Sequence, residues 1–327
     1  MHDPRPFFLS EFELADSRVE FSKKPIVLLC GGPIPHKAHP DDDDPPISSF
    51  RHAIHKSFPP YEVFCPEEIQ AWNIDGIFKN LMDFESDLAS ICSLVVIILE
   101  SPGALAELGA FSQLPDLSKK LIVINSSDYR GSNSFINLGI LRFIADDHPA
   151  GVKTYPWSVG DPSSISEDVL GDVVEDIQEE LSGLPKSQVF KVNSSAHVVV
   201  LICELVRVFV ALKEGELLDG LATLGISLTK EYLKRKLFLL EKFDLISRQE
   251  YGGSVFYLAK RDDYHKLRFS LKSKDVFDPL RARMDCIEYY RVETKERTRN
   301  RVISSTVPGA KKWASLSLGC VFVGSSC

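Results

Sequence analysis

Apolar runs of five or six residues recur through the first half of the chain: Pro25–Cys30, Tyr61–Cys65, Leu94–Leu99, Lys120–Asn125 and Val152–Trp157. Leu94–Leu99 is unbroken aliphatic and β-branched, and Pro25–Cys30 is similar, which suits strands covered on both faces, as in a parallel sheet; Tyr61–Cys65 reads as a short strand. Pro156 suits an edge strand for the last of the runs. Between the runs the spacing turns helical. Ile47–Phe58 has Ser48 or Ser49 near its start, Asp75–Cys92 repeats Leu81, Phe84, Leu88 and Ile91, and Ile165–Leu181 is acidic and amphipathic. A further helix follows Pro102-Gly103. Strands alternating with helices predict an α/β fold, a doubly wound parallel sheet of flavodoxin-like type.

The pattern changes after a linker at Ser182–Ser187. Ala196–Lys213 is strongly apolar and helical, and Leu217–Leu224 is a shorter helix. A third helix, capped by Ser227 or Thr229, runs to Phe243. Leu245–Glu250 and Ser254–Leu258 flank Tyr251-Gly252-Gly253, a hairpin with a Gly-Gly turn. Helix, helix, helix, hairpin is the order of a small winged-helix domain. Lys230, Lys234, Arg235 and Lys236 on its third helix suit phosphate or groove contact; a winged helix serving protein contact alone is the other reading. Residues 1–22 have no strong period and read as an arm. The expected divisions are 1–185 for the sheet domain, 190–265 for the winged helix and 266–327 for a basic extension. Its end, Ala314–Cys327, is assigned no role.

Composition narrows the class. The 327 residues are 44% hydrophobic and 26% charged, as in ordinary globular proteins, with room for two domains. The net charge of −8 argues against uniform coating of nucleic acid and leaves a local basic face open. Base concentrates after Lys230 and between Arg281 and Lys312. The start of the chain lacks a signal-peptide pattern, and no apolar run is long enough for a bilayer. Seven scattered cysteines without Cys-x-x-Cys spacing point to reduced thiols, hence a cytoplasmic protein, with neither zinc nor a disulfide framework.

The candidate chemistry gathers where strands end, since ligands of open α/β sheets bind outside the carboxyl ends of the strands. Glu100 ends the strand at Leu94–Leu99, and Glu107 lies early in the next helix, within an otherwise apolar or small-residue segment. An early helical glutamate is also a plain dipole partner. Gly31 and Gly32 follow the first sheet strand, where glycine allows a ligand near the backbone or simply makes a turn; the sequence is not Gly-x-Gly-x-x-Gly. Arg51 is placed to reach a phosphate or carboxylate, or to be a surface arginine. Glu67 falls at the end of the second sheet strand. Asp83, Glu85 and Asp87 read as mostly solvated. The loop Ser126–Asn133, with Ser134 and Asn137 after it, either lines a pocket or stays on the surface. Gly31, Glu67, Glu100, Glu107 and Asn137 are expected to converge on one cleft. Asp41–Asp44 reads as a solvated loop rather than a metal site.

Leu29-Cys30-Gly31-Gly32, Phe50-Arg51-His52, Phe64–Glu67, Glu100-Ser101-Pro102-Gly103, Glu107–Ser112 and Ser134–Asn137 occur in this order. Together they resemble the nucleoside 2-deoxyribosyltransferase-like effectors encoded beside bacterial retrons, closely over residues 24 to 145 and beyond that in architecture only. The Asp41–Asp44 loop and the tail past Arg291 depart from the pattern. The resemblance implies an N-glycosidase with NAD or a related nucleotide as substrate and no cofactor. It implies Glu107 as the nucleophile and Glu100 or Glu67 as an acid or ribose ligand. Cys30, Gly31, Gly32, Arg51, Ser101, Gly103, Ser134 and Asn137 would be substrate contacts. It further implies a bacterial anti-phage toxin held by a reverse transcriptase and its branched RNA–DNA product, and a homo-oligomer. Two other classes stay open: a nucleotide-sensing, DNA-binding regulator, and deoxyribosyl transfer in nucleotide salvage.

Overall fold

The computed structural model describes residues 2–35, 39, 41–57, 62–68, 76–114, 117 and 119–306. Phe58, Tyr61, Asp75, the start of the loop before Asp41 and the tail Ala314–Cys327 lie outside the described residues. The chain opens with helix α1 (Arg5–Glu11) and strand β1 (Phe12–Glu20). It continues through β2 (Ile26–Cys30), α2 (Phe50–Ser57), β3 (Glu62–Phe64), α3 (Leu81–Ile91), β4 (Leu94–Ile98), α4 (Pro102–Phe111) and β5 (Leu121–Ser126). A π-helical turn (Ile136–Leu141) leads into α5 (Arg142–Asp147), β6 (Val152–Tyr155), α6 (Glu167–Gly183) and β7 (Ser187–Val189). Then come α7 (Ser195–Val208), β8 (Ala211–Leu212), α8 (Glu214–Thr223), α9 (Lys230–Lys242), β9 (Ile246–Tyr251), β10 (Ser254–Ala259), β11 (Lys266–Leu271), α10 (Pro279–Val292) and α11 (Arg297–Thr306).

The described chain divides into two compact units, residues 19–199 with 263–265, and residues 2–18, 200–262 and 266–306. In the first, five strands form one sheet of order β3-β2-β4-β5-β6, parallel at every pairing. This is the doubly wound order expected from the apolar runs, and β6 lies at the edge, where Pro156 ends it. Strands β2, β4 and β5 are buried along their whole length because helices cover both faces. Val27, Leu29, Val96, Ile98 and Ile124 meet Phe50, Ile54, Val173 and Ile177 in the core.

Two helices of this unit are shorter than their apolar spacing. The helix expected from Asp75 begins at Leu81, because the Asn80 side chain accepts the Asp83 N–H at 2.8 Å and caps it there. The helix expected from Ile47 begins at Phe50, for reasons described below.

In the second unit, β9 and β10 pair antiparallel with Ser254 opposite Tyr251, and β8 pairs with the other edge of β10. Gly252 and Gly253 have φ of 58° and 72°, the two left-handed positions of a tight hairpin turn. Thr229 caps α9 by accepting the Tyr232 N–H at 3.1 Å. Helix α7 stops at Val208, short of the expected Lys213: Val210 takes φ 68°, and Ala211–Leu212 join the hairpin as a third strand. The amino-terminal residues are ordered helix and strand rather than an arm. Leu9 packs against Gly220, and Arg5 bonds Glu216 at 2.7 Å, contacts more than 200 residues away that no local period reports.

Candidate active site at the carboxyl edge of the sheet

The turn after β2 and the turn after β4 are stitched together. The Glu100 carboxylate accepts three backbone N–H groups: Gly32 at 2.9 Å, Phe50 at 2.7 Å and Arg51 at 2.9 Å. It therefore takes the first two amides of α2 from another strand, while Ser49, one of the two serines expected near the helix start, accepts the His52 N–H at 2.9 Å; together these begin α2 at Phe50. Ser101 accepts the Ala104 N–H to cap α4 and donates to the Gly31 carbonyl at 2.9 Å. Ser48 and Ser49 both donate to the Pro33 carbonyl. A Cβ on Gly32 would lie 2.7 Å from the Ser49 Cβ and 2.9 Å from the Glu100 carboxyl carbon, so only glycine fits. Gly103, by contrast, is exposed, and a Cβ there would meet nothing closer than 3.8 Å.

Arg51 is buried rather than a surface arginine. It donates to the Gly32 carbonyl at 3.2 Å and grips Glu67 with two bonds of 2.7 Å each. A bidentate pair of this kind fixes both groups. Glu67 keeps 41% of its side chain exposed, so the pair is reachable from solvent at one end.

Glu107 comes up beside this pair from α4. Burial raises its carboxyl above the ordinary range, the Cys30 thiol and the Arg51 charge oppose that, and Glu67 adds to it. Its Oε2 is buried without a hydrogen-bond partner among the described residues. Cys30 ends β2, fully buried; burial and the Glu107 charge push its thiol well up, so it is a neutral donor and not a thiolate.

Glu85 on α3 completes the group and went unseen in the sequence. It is only 8% exposed. Burial, then Glu107, then Glu67 push it up to about 7. In the sequence it sits between Asp83 and Asp87 and looks like one more solvated acid; no local signal marks it. The structure thus brings Glu107, Glu85, Glu67, Arg51 and Cys30 together. Burial raises the carboxyls of both Glu85 and Glu107 above the ordinary range, Glu85 to about 7.

The remaining residues lie around this cluster in other roles. Gly31 and Gly32 shape the turn, and Glu100 is occupied by backbone. Glu100 also borders a pocket of about 120 Å3 with Ser48, Trp157 and Asp161. Ser134 accepts the Asn137 N–H at 3.1 Å, and Asn137 donates to the Tyr129 carbonyl at 2.7 Å and to Ser132. These bonds brace the loop after β5, so the described contacts of Asn137 do not reach the acid cluster as expected. Asp41–Asp44 is exposed, and among the described residues no His, Cys, Asp or Glu group is arranged to hold a metal.

On α9, Lys230 is exposed and pairs with Glu214 at 3.4 Å, and Lys234 is exposed. Arg235 lies half-buried with its guanidinium 5.4 Å from the centre of the Tyr232 ring. Lys236 is corrected: it is fully buried, its ammonium 5.0 Å from the Tyr232 ring centre, and cannot face a groove. It shares the inward stripe of Leu233, Leu237 and Leu240, one helical turn apart. Among the described residues no helix is long and apolar enough to cross a membrane.

A parallel doubly wound domain with a cluster of acids near the carboxyl edge of its sheet, followed by a helical and hairpin unit, defines an α/β protein of two units. Residues 47–248, more than half of the chain, match the family described as STM3845 retron effector protein, and the chain belongs to that family. It is thus a retron-associated effector. Two curated relatives from Escherichia coli are similar in part. One is named "Retron Ec73 putative ribosyltransferase/DNA-binding protein", 31% identical over 110 residues, 33% of this chain and 35% of the relative. The other is named "Retron Ec86 putative ribosyltransferase/DNA-binding protein", 30% identical over 125 residues, 37% of this chain and 38% of the relative. The chain thus aligns with little more than a third of either relative.

Proposed function

We propose that this effector is an N-glycosidase acting in retron-associated defence against phage, and that it cleaves the glycosidic bond of NAD or a related nucleotide. The observation that carries the reading is the pairing of Glu107, with an unpartnered buried carboxyl oxygen, and Glu85, which holds its proton to about 7. Glycosidic cleavage passes through an oxocarbenium-like state that a nearby carboxylate stabilises or traps. Glu107 attacks the anomeric carbon as the bond to the base nitrogen breaks, and the bonding electrons leave with the base. Glu85 donates its proton to a base that would otherwise depart as an anion. Nicotinamide leaves a cationic ring as a neutral molecule and needs no such proton. Water then hydrolyses the ester on Glu107. Arg51 and Glu67 hold phosphate or ribose hydroxyls, and Glu100 acts as the residue that positions the turn.

The helices α7 to α9 with the β8–β10 hairpin have the order of a winged helix, and we assign them nucleic-acid contact, in line with the DNA-binding part of the relatives' names. The partners in this reading are the retron reverse transcriptase and its branched RNA–DNA, in the bacterial cytoplasm, with the effector as a homo-oligomer. The relatives' names also favour ribosyl transfer, in which a second base rather than water receives the sugar.

The test is product analysis of the purified protein, alone and with its retron complex, on NAD and on deoxynucleotides. Free nicotinamide or free base is expected, and Glu107→Gln should lower turnover about a thousandfold or more while leaving the fold intact. Base exchange without hydrolysis would shift the reading to transfer. Ligand returned intact under every condition, or wild-type turnover by Glu107→Gln, would overturn it.

A further inference from the structure

Resting on the nucleic-acid reading of the second unit, we propose that the phosphate-binding face is formed by the hairpin end and α11, through Tyr251, Lys295, Arg297 and Arg301, and not by the third helix that the sequence points to. The third helix offers less than its composition suggests. Lys236 is buried, Lys230 is paired with Glu214, and Arg235 is laid against Tyr232. Lys234 is the residue of the original four that is exposed without a described ion pair.

The basic segment after Lys230 concentrates its charge elsewhere. Between Glu293 and Arg301 there are four cations and two acids. Glu296 turns inward to pair with the buried Arg299 at 2.8 Å, so these two cancel inside. Glu293 accepts the Lys295 N–H. Lys295, Arg297 and Arg301 are left exposed, and Arg297 and Arg301 stand one helical turn apart on the same face. The hairpin end meets this face. Arg301 donates to the Tyr251 hydroxyl, and its guanidinium lies 5.7 Å from the centre of that ring. Thr298 lies 3.7 Å from where a Cβ on Gly252 would stand.

Tyr251 is 40% exposed and immobilised by that contact. Its hydroxyl accepts from Arg301, which leaves the hydroxyl proton to donate outward. An exposed tyrosine hydroxyl, two arginines at helical spacing and a lysine, against the single acid Glu293 bonded to the Lys295 N–H, match successive phosphates of a nucleic-acid backbone. The glycine turn lets the hairpin end approach that backbone closely.

The test is binding of a labelled DNA duplex of mixed sequence to the full-length protein across a salt series. Arg297→Ala with Arg301→Ala should weaken binding several-fold and flatten the slope of log affinity against log salt by about two. Arg297→Ala alone, at a side chain with no described partner, should flatten it by about one and cannot act through the Tyr251 contact. Tyr251→Phe keeps the ring packing and should weaken binding at constant slope. If the wild type binds no duplex, the nucleic-acid reading and the proposal fall together. If it binds and Lys234→Ala flattens the slope while the arginine variants leave it unchanged, the reading stands and the proposal is overturned. Competition by polyglutamate as strong as by unlabelled duplex would also overturn it.

Discussion

Glu85 keeps its proton to about 7 because it is buried beside two other carboxyls. A carboxyl raised above its ordinary 4.5 contributes stability that is complete below 4.5 and is lost as pH rises through 7. The melting temperature of the wild type is therefore expected to fall, relative to Glu85→Gln, between those two values. Parallel melting curves for the two proteins would contradict the buried, like-charged setting. Glu107 shows the other face of the same physics: its raised carboxyl is opposed by Arg51 and Cys30, so it ionises more readily than burial alone would allow. At this scale the sequence marked Glu107 and Glu67 by their places after strands. It could not mark Glu85, whose acidic neighbours come from α4 and from the turn after β3.

Helix α2 depends on a group outside itself. Ser49, just before the helix, accepts the His52 N–H at 2.9 Å, but the amides of Phe50 and Arg51 point at Glu100, which also takes the Gly32 N–H. Removing a charged acceptor from three partly buried amides leaves donors unsatisfied, so Glu100→Ala is expected to cost about 3 kcal/mol or more in stability. The loss should appear as a lower denaturant midpoint. A midpoint within about 0.5 kcal/mol of wild type would rule out the cap role. The helix expected from Ile47 starts three residues later, at the Ser49 cap that the sequence offers: the apolar period reports which face is buried, and the cap, with a distant carboxylate on the first two amides, fixes where the helix begins.

For the second unit, Glu216 ties the helix α1 side to α11. It bonds Arg5 at 2.7 Å and Arg299, and it accepts the Lys213 N–H at 2.8 Å. Arg299 is 1% exposed and also donates to the Ala211 carbonyl, with its guanidinium 4.6 Å from the Tyr290 ring centre. Removing the carboxylate leaves the buried Arg299 with Glu296 as its acid and Arg5 with Asp3, and loses charged hydrogen bonds worth about 1.5 to 3 kcal/mol. Glu216→Ala should therefore lower the urea midpoint of the full chain by a corresponding amount, and protease should release the amino-terminal helix sooner. An unchanged midpoint would show that the network is replaceable by solvent.

The parallel sheet, its edge strand, the hairpin with its Gly-Gly turn and the capped third helix are legible in the sequence alone. Each follows from local rules: apolar runs that must be covered, proline at an edge, two left-handed glycines, and a threonine before a helix. The sequence also placed Glu67, Glu100, Arg51 and Glu107 near the ends of strands, because the fold class carries that edge with it. Only the tertiary structure decided what those residues do. Glu100 became a cap, Arg51 a buried clamp on Glu67, Lys236 part of the core and Glu85 an acid near neutrality. Burial and partner charge set these outcomes, and both depend on neighbours supplied by segments far away along the chain.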